Sequence, residues 1–370
     1  MQSNHGAEGW WVQSDHVRAH VTAVGGMIAP VEFKLGDRVV SPYSVSPWQP
    51  DEFADDVPAL LRFLRGDFFC LPFGPQDDGA PHGDPANARW TGDLSASGAL
   101  ELGIDCGDSG ATVSKLISGG EGHPAVYYEF RISGLEGEWS YGNHPILDCS
   151  GLAEGEARVS VSPFRWGSVY QGVFSNPDAG ERQALVNGAT FDTLDSVPML
   201  DGGTTDLTRW PDRRGFEDLV MMVNEPVTEE RPFAWSAVVM DGYVWFSLKN
   251  PEDFPATLFW MSNGGRDEAP WNARHVGRLG IEEVCSHFCD NVTRSREKAL
   301  PGITTVRKFK ADETTTLRIV QAVAEVPDGF GKVESIVPAG PERVLITDDH
   351  GLSVEAGVDW NHVIQSSYPG

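Results

Sequence analysis

Alternation of apolar and polar residues with a period of two recurs along most of this chain. It constrains the fold more than any other feature. Val17, Ala19, Val21 and Ala23 alternate with Arg18, His20 and Thr22, and Leu100, Leu102 and Ile104 repeat the pattern. So do Val126, Tyr128, Phe130 and Ile132, and then Val159 and Val161. Successive side chains of a strand point to opposite faces, so this pattern reads as strands with one face turned to a core. Trp235 to Met240 and Tyr243 to Leu248 are separated by Asp241-Gly242, a dipeptide that suits a two-residue hairpin because both central residues need positive φ. Leu317, Ile319 and Val323 mark a further strand, and Glu342 to Thr347 and Ser353 to Trp360 flank a Gly-containing turn. Helical spacing is rare. The best case predicts a helix over Asp51 to Leu64, with Leu60, Leu61 and Leu64 on one side. Glu282 to Val292 fits a short helix or a strand. Gly (41) and Pro (25) punctuate the whole chain and do not gather into a linker, so no domain boundary is marked. The expectation is an all-β protein, a large antiparallel β-sandwich with a few short helices, with residues 1–370 as a single domain.

Charge narrows the partners. The formal net charge is −26, from 54 acids against 28 bases. Such a field repels nucleic acid and anionic membrane surfaces, and neither is expected as a partner. No run approaches the ~20 apolar residues of a membrane helix. The opening MQSNHGAEGWWVQSDH has neither the basic region nor the apolar region of a secretory signal. The cysteines (Cys70, Cys106, Cys149, Cys285, Cys289) are odd in number and widely spread, which fits reduced thiols and a cytoplasmic location. Cys285 and Cys289 lack a matching pair for zinc.

Three segments place titratable groups beside apolar strands. Phe68 to Trp90 holds His82, Arg89 and Trp90. Trp139 to Cys149 holds Asn143 and His144. Ser262 to Phe288, after the apolar run Ala256 to Met261, holds Arg266, Asp267, Trp271, Arg274, Glu282 and Glu283. A segment this polar after a buried strand belongs on the surface or in a site. Imidazole suits proton donation near neutral pH, and a partly buried carboxylate suits proton abstraction. Aromatic rings offer flat apolar faces to a sugar, while Arg, Asp, Asn and Gln fork onto its hydroxyls. The composition is that of a carbohydrate site. Arg89, Arg266 and Arg274 could clamp an anionic group or could pair with Asp267, Glu268 and Glu282 to hold the loop.

On these motifs the chain resembles the galactose mutarotase-like family, which includes the aldose 1-epimerases and hexose-6-phosphate epimerases. Gly25 to Phe33 (GGMIAPVEF) looks like that family's first hairpin, in which a Gly pair precedes the strand that fixes the sheet edge. Pro81-His82-Gly83, followed by Arg89-Trp90, is similar to the loop carrying its first active-site His. Gly142-Asn143-His144-Pro145 resembles the motif carrying its second, and Leu279-Gly280-Ile281-Glu282 the strand carrying its catalytic Glu. The resemblance implies a mutarotase-like supersandwich and a carbohydrate epimerase that interconverts sugar anomers. It implies Glu282 as general base, His144 as general acid and His82 as a substrate hydrogen-bond donor. An additional acid would be Glu217 or Asp218. Neither metal nor cofactor is implied; the partner is a small-molecule sugar. Two departures are plain. Pro145 to Asp148 follows the NH motif where the family has an aromatic and then Asn, and Glu283 stands where Pro often follows the Glu. Either Glu282 or Glu283 could therefore be the base. The alternatives are a non-catalytic sugar-binding protein on this fold, or a polysaccharide lyase or hydrolase.

Overall fold

The computed structural model describes residues 1–107 and 109–365. The alternating runs are strands: Val17–Thr22, Leu100–Cys106, Ala125–Ser133, Ala157–Val161 and Thr315–Glu325. Ala234–Met240 and Tyr243–Lys249 pair across a turn whose central residues, Asp241 and Gly242, have φ of 47° and 72°. Positive φ at both positions gives the turn a twist that matches the flanking strands.

Two antiparallel sheets stack face to face. The first has eight strands, and its middle is Glu217–Asn224, Ala256–Ser262 and Arg278–Cys285. Tyr141–Asn143 and Ile146–Asp148 both pair with Arg278–Cys285, and Phe69–Cys70 lies beyond Tyr141–Asn143. The second has nine strands, centred on Tyr243–Lys249, Thr315–Glu325 and Ala125–Ser133. Val220, Met222, Phe259, Met261, Leu279 and Ile281 of the first sheet share one apolar core with Val238, Trp245, Leu317 and Ile319 of the second. Phe69 stacks on Phe130 across the gap, with ring centroids 4.4 Å apart. This is the aligned packing of a sandwich.

The three central strands of the eight-stranded sheet are buried along their whole length, so both of their faces are covered. The alternate residues Leu219, Met221, Leu258, Trp260 and Val284 enter a second cluster with Leu60, Leu64, Phe68 and Phe288. Loops and short helices roof that cluster, and the candidate site lies there. On the outer face of the nine-stranded sheet, the C-terminal three-stranded sheet packs Ile336, Val344 and Ile346 against Phe246 and Val320. The N-terminal five-stranded sheet contributes Val21, Val31 and Phe33 to the main core.

Several expectations need correction. The segment 51–64 is a 3₁₀ turn, Pro50–Glu52, and a separate five-residue helix, Ala59–Phe63. Pro58 separates them: it lacks an N–H and drives Val57 out of the helical region. Glu282 lies on a strand that ends at Cys285, and a helix starts only at Val292, capped by the Asn291 side chain accepting from the Arg294 N–H. Trp360 leaves the last strand, which ends at Gly357, and opens the short helix Asn361–Ile364. Gly25 and Gly26, at φ 75° and 53°, turn the chain between Val17–Thr22 and Ile28–Leu35. This is the third hairpin of the N-terminal sheet, and Ile28–Leu35 lies inside that sheet, not at its edge.

Candidate active site

Strand pairing fixes the floor of the site. Leu219 lies opposite Trp260, and Trp260 opposite Gly280; one step along, Met221, Leu258 and Glu282 line up in the same way. Alternation sends Glu282 and Glu283 to opposite faces. Glu283 points into the sandwich, where Lys249 (2.9 Å), Ser236 (2.8 Å) and Thr257 (2.7 Å) all donate to its carboxylate. Glu282 points to the other face and lines a cavity of about 300 Å³.

His144 sits in the turn between Tyr141–Asn143 and Ile146–Asp148. Because both strands pair with Arg278–Cys285, the turn is held beside Glu282, and the Ile281 N–H donates to the Pro145 carbonyl at 2.9 Å. The His144 Nε2 is 3.3 Å from Glu282 Oε1, and both side chains are about 95% buried or more (5% and 4% exposed). The ring stacks on Phe68 at 4.6 Å. His82 approaches from another direction, 5.5 Å from His144 between ring centroids. It precedes the helix Gly83–Asn87 in the left-handed conformation, at φ 63°. The Gly74 N–H donates to its Nδ1 at 3.3 Å, which places the ring proton on Nε2.

Burial sets the electrostatics. Loss of solvent pushes the Glu282 carboxyl up to about 8. Burial, and then the nearby His82, holds His144 well below the usual histidine range, and burial alone brings His82 down to about 4. Both shifts act against charge: burial disfavours the carboxylate of Glu282 and the imidazolium of His144.

Arg266 and Trp271 also line the cavity. The Arg266 guanidinium lies among Trp271 (4.8 Å), Phe174 (5.1 Å) and Trp260 (5.7 Å), and its Nε is 3.3 Å from Glu181. The other proposed binding residues lie elsewhere. Arg89 is exposed and pairs with Glu8 at 3.1 Å. Asp267 is exposed and pairs with Arg182, and Arg274 pairs with Glu52 at 2.7 Å and lies over Trp48. Asn143 is buried inside the sandwich, donating to Asp67 at 2.8 Å, because alternation turns it away from the cavity. Asp218 faces the sandwich side and accepts from the Ala184 and Leu185 N–H groups. Glu217 is on the cavity side of its strand, but its oxygens are taken by Trp260 Nε1 (3.1 Å), Ser262 Oγ (2.9 Å) and the Gly265 N–H (3.1 Å). It anchors the Trp260 indole and the start of the 263–277 loop; burial lifts its carboxyl to about 7.

Tyr170, Phe174, Trp260 and Phe68 also line the cavity, though the sequence does not single them out as site residues. Only Trp260 had a usable signal, its two-residue spacing from Leu258 on a strand next to the Glu282 strand. His275 backs Trp260, stacking on it at 5.2 Å while Nδ1 lies 2.6 Å from Ser262 Oγ. Among the described residues, one group has metal-ligand atoms within 4.8 Å of one another: Asp348, Asp349 and His350. It forms a turn of the C-terminal hairpin, where backbone N–H groups of Gly331, His350 and Leu352 already occupy Asp348.

No family model and no curated protein matches this sequence. Solved structures do. A galactose mutarotase related enzyme from Lactobacillus acidophilus aligns at TM-score 0.54 and 11% identity, covering 87% of this chain and 99% of its own. A galactose mutarotase-like protein from Lactobacillus casei aligns at 0.53 and 12%, covering 85% and 100%. Another from Clostridium acetobutylicum aligns at 0.53 and 10%, covering 85% and 95%. The chain has the galactose mutarotase-like fold.

Proposed function

We propose that the cavity is the active site of a mutarotase-type epimerase, which interconverts the anomers of a sugar. The observation that carries this reading is the buried His144–Glu282 pair, 3.3 Å apart on the cavity floor. The names of the structural neighbours support a sugar as substrate. Opening a pyranose requires a proton to leave the anomeric hydroxyl and another to reach the ring oxygen. A pair holding one proton does both. His144 Nε2 takes the hydroxyl proton, Glu282 delivers its own to the ring oxygen, the C1–O5 bond breaks and the C1 carbonyl forms. Rotation about C1–C2 exposes the other carbonyl face. Reclosure returns each proton and restores the resting pair. The Nε2–H of His82 is suited to donate to the carbonyl oxygen as it forms. Residues 1–370 are read as one domain, because the cavity draws on side chains from Leu60 to Cys289 and both terminal sheets share cores with the sandwich.

Polarimetry on a panel of neutral hexoses, uronates and sugar phosphates tests the reading. Glu282→Gln and His144→Ala should each lower the catalysed rate by ~10²–10⁴-fold, the usual contribution of a positioned acid or base. Unchanged rates in both variants would sink it. Tight binding with no turnover would instead identify a sugar-binding protein.

A further inference from the structure

The cavity lining combines a cluster of titratable groups with an apolar surface from one short helix. Glu282, His144 and His82 hold the floor. Leu60, Leu61 and Leu64, from the Ala59–Phe63 helix and its C-terminal end, form one apolar surface, and Pro75, Pro81 and Val173 also line the cavity. Leu60 and Leu64 are each 3% exposed, so they are a fixed apolar surface, and Val173 stands 73% exposed at the cavity. A hydroxyl pressed against such a wall loses its water and finds no partner. The Tyr170 hydroxyl, another lining group, is already spent on Asp290. Val173 adds apolar surface to the same cavity on its solvent-reached side.

From this combination we infer that the substrate is amphipathic: a reducing sugar whose anomeric end meets Glu282 and His144, and which carries an apolar substituent away from the anomeric carbon. The inference rests on the mutarotase reading for the orientation of the sugar. Leu61 and Val173, apolar lining residues that solvent reaches, receive the substituent.

The probes are D-glucose and its 2-O-, 3-O- and 6-O-octanoyl esters, which keep the anomeric hydroxyl free. Binding is read by calorimetry and by quenching of the tryptophan fluorescence, to which the cavity residues Trp260 and Trp271 contribute. At least one ester should bind the full chain roughly tenfold tighter than glucose, from burial of several methylenes. The Leu61→Ser/Val173→Ser variant should lose that gain; both positions are partly or largely exposed, so the fold tolerates the change. The inference is overturned if no ester gains over glucose, or if the gain survives in the double variant. Ester binding that depends on the wall, with no Glu282-dependent mutarotation, leaves this inference standing and removes the epimerase reading. Mutarotation of glucose with no gain for any ester does the reverse.

Discussion

Gly280 shows how much a single position decides. It lies directly beneath the acid–base pair, and a Cβ built there would sit 3.1 Å from Glu282 Oε1, 3.1 Å from the Trp260 Cβ and 3.4 Å from His144 Cε1. Those contacts are tight enough to push the pair apart without filling the core. Gly280→Ala should therefore lower kcat by on the order of 10- to 100-fold, the cost of small misplacements at a reacting centre, while Tm moves by only a few degrees. A variant with unchanged kcat places the chemistry elsewhere. The pH profile belongs to the same scale. Burial raises the Glu282 carboxyl from its ordinary 4.5 to about 8, so the proton it must donate is present through neutral pH and lost above about 8. His144 is held low and stays unprotonated, and able to accept, across the same range. The catalysed rate should be flat through neutrality and fall about tenfold per pH unit above 8. A limb that instead rises between pH 4.5 and 6.5 and stays level above 8 would make Glu282 the base.

Among the elements, the strand Arg278–Cys285 serves two compartments. Its even-numbered residues Gly280 and Glu282 face the cavity, while Leu279, Ile281 and Glu283 face the sandwich. Glu283 is bound to Lys249 of the opposing sheet, with both side chains fully buried. Removing one partner strands a charge in a dry core. Lys249→Met should cost ~3–5 kcal/mol in denaturant unfolding, and adding Glu283→Leu should recover most of it, since a matched apolar pair is often no less stable than the ion pair. Recovery that fails would mean the carboxylate's bonds to Ser236 and Thr257 matter more than the lysine. The segment 51–64 makes the opposite point about elements. Its leucine spacing predicts one long helix, yet Pro58 cuts it, and the short helix that remains serves as the apolar cavity wall.

At the scale of the whole molecule, the charge of −26 acts on everything at once. Like charges spread over one surface repel and weaken the compact state, and salt screens them over a Debye length of ~10 Å at 0.1 M. Tm measured by scanning calorimetry should rise as KCl increases from ~0.01 to ~0.5 M; a flat or falling Tm would show that local ion pairs, such as Arg182–Asp267, outweigh the net field. The fold itself was legible because alternation is local: each strand's apolar face, the Asp241-Gly242 turn and the all-β class follow from neighbours in sequence. The candidate site was legible where a short motif carried it, at His82, His144 and Glu282, and in the polar segment after a buried strand, which supplies Arg266 and Trp271. Arg89, Asn143, Asp218, Asp267 and Arg274 have the right chemistry in the wrong place, since side-chain type says nothing about which way a residue points. Sequence alone determined the strands, their two faces and the excess of negative charge. Only the tertiary structure decided that Glu282, not Glu283, meets His144, and that residues 60–64 and 173 wall the same cavity. These are matters of long-range register and of which buried face is left hollow, and no local pattern encodes either when both faces of a strand are covered.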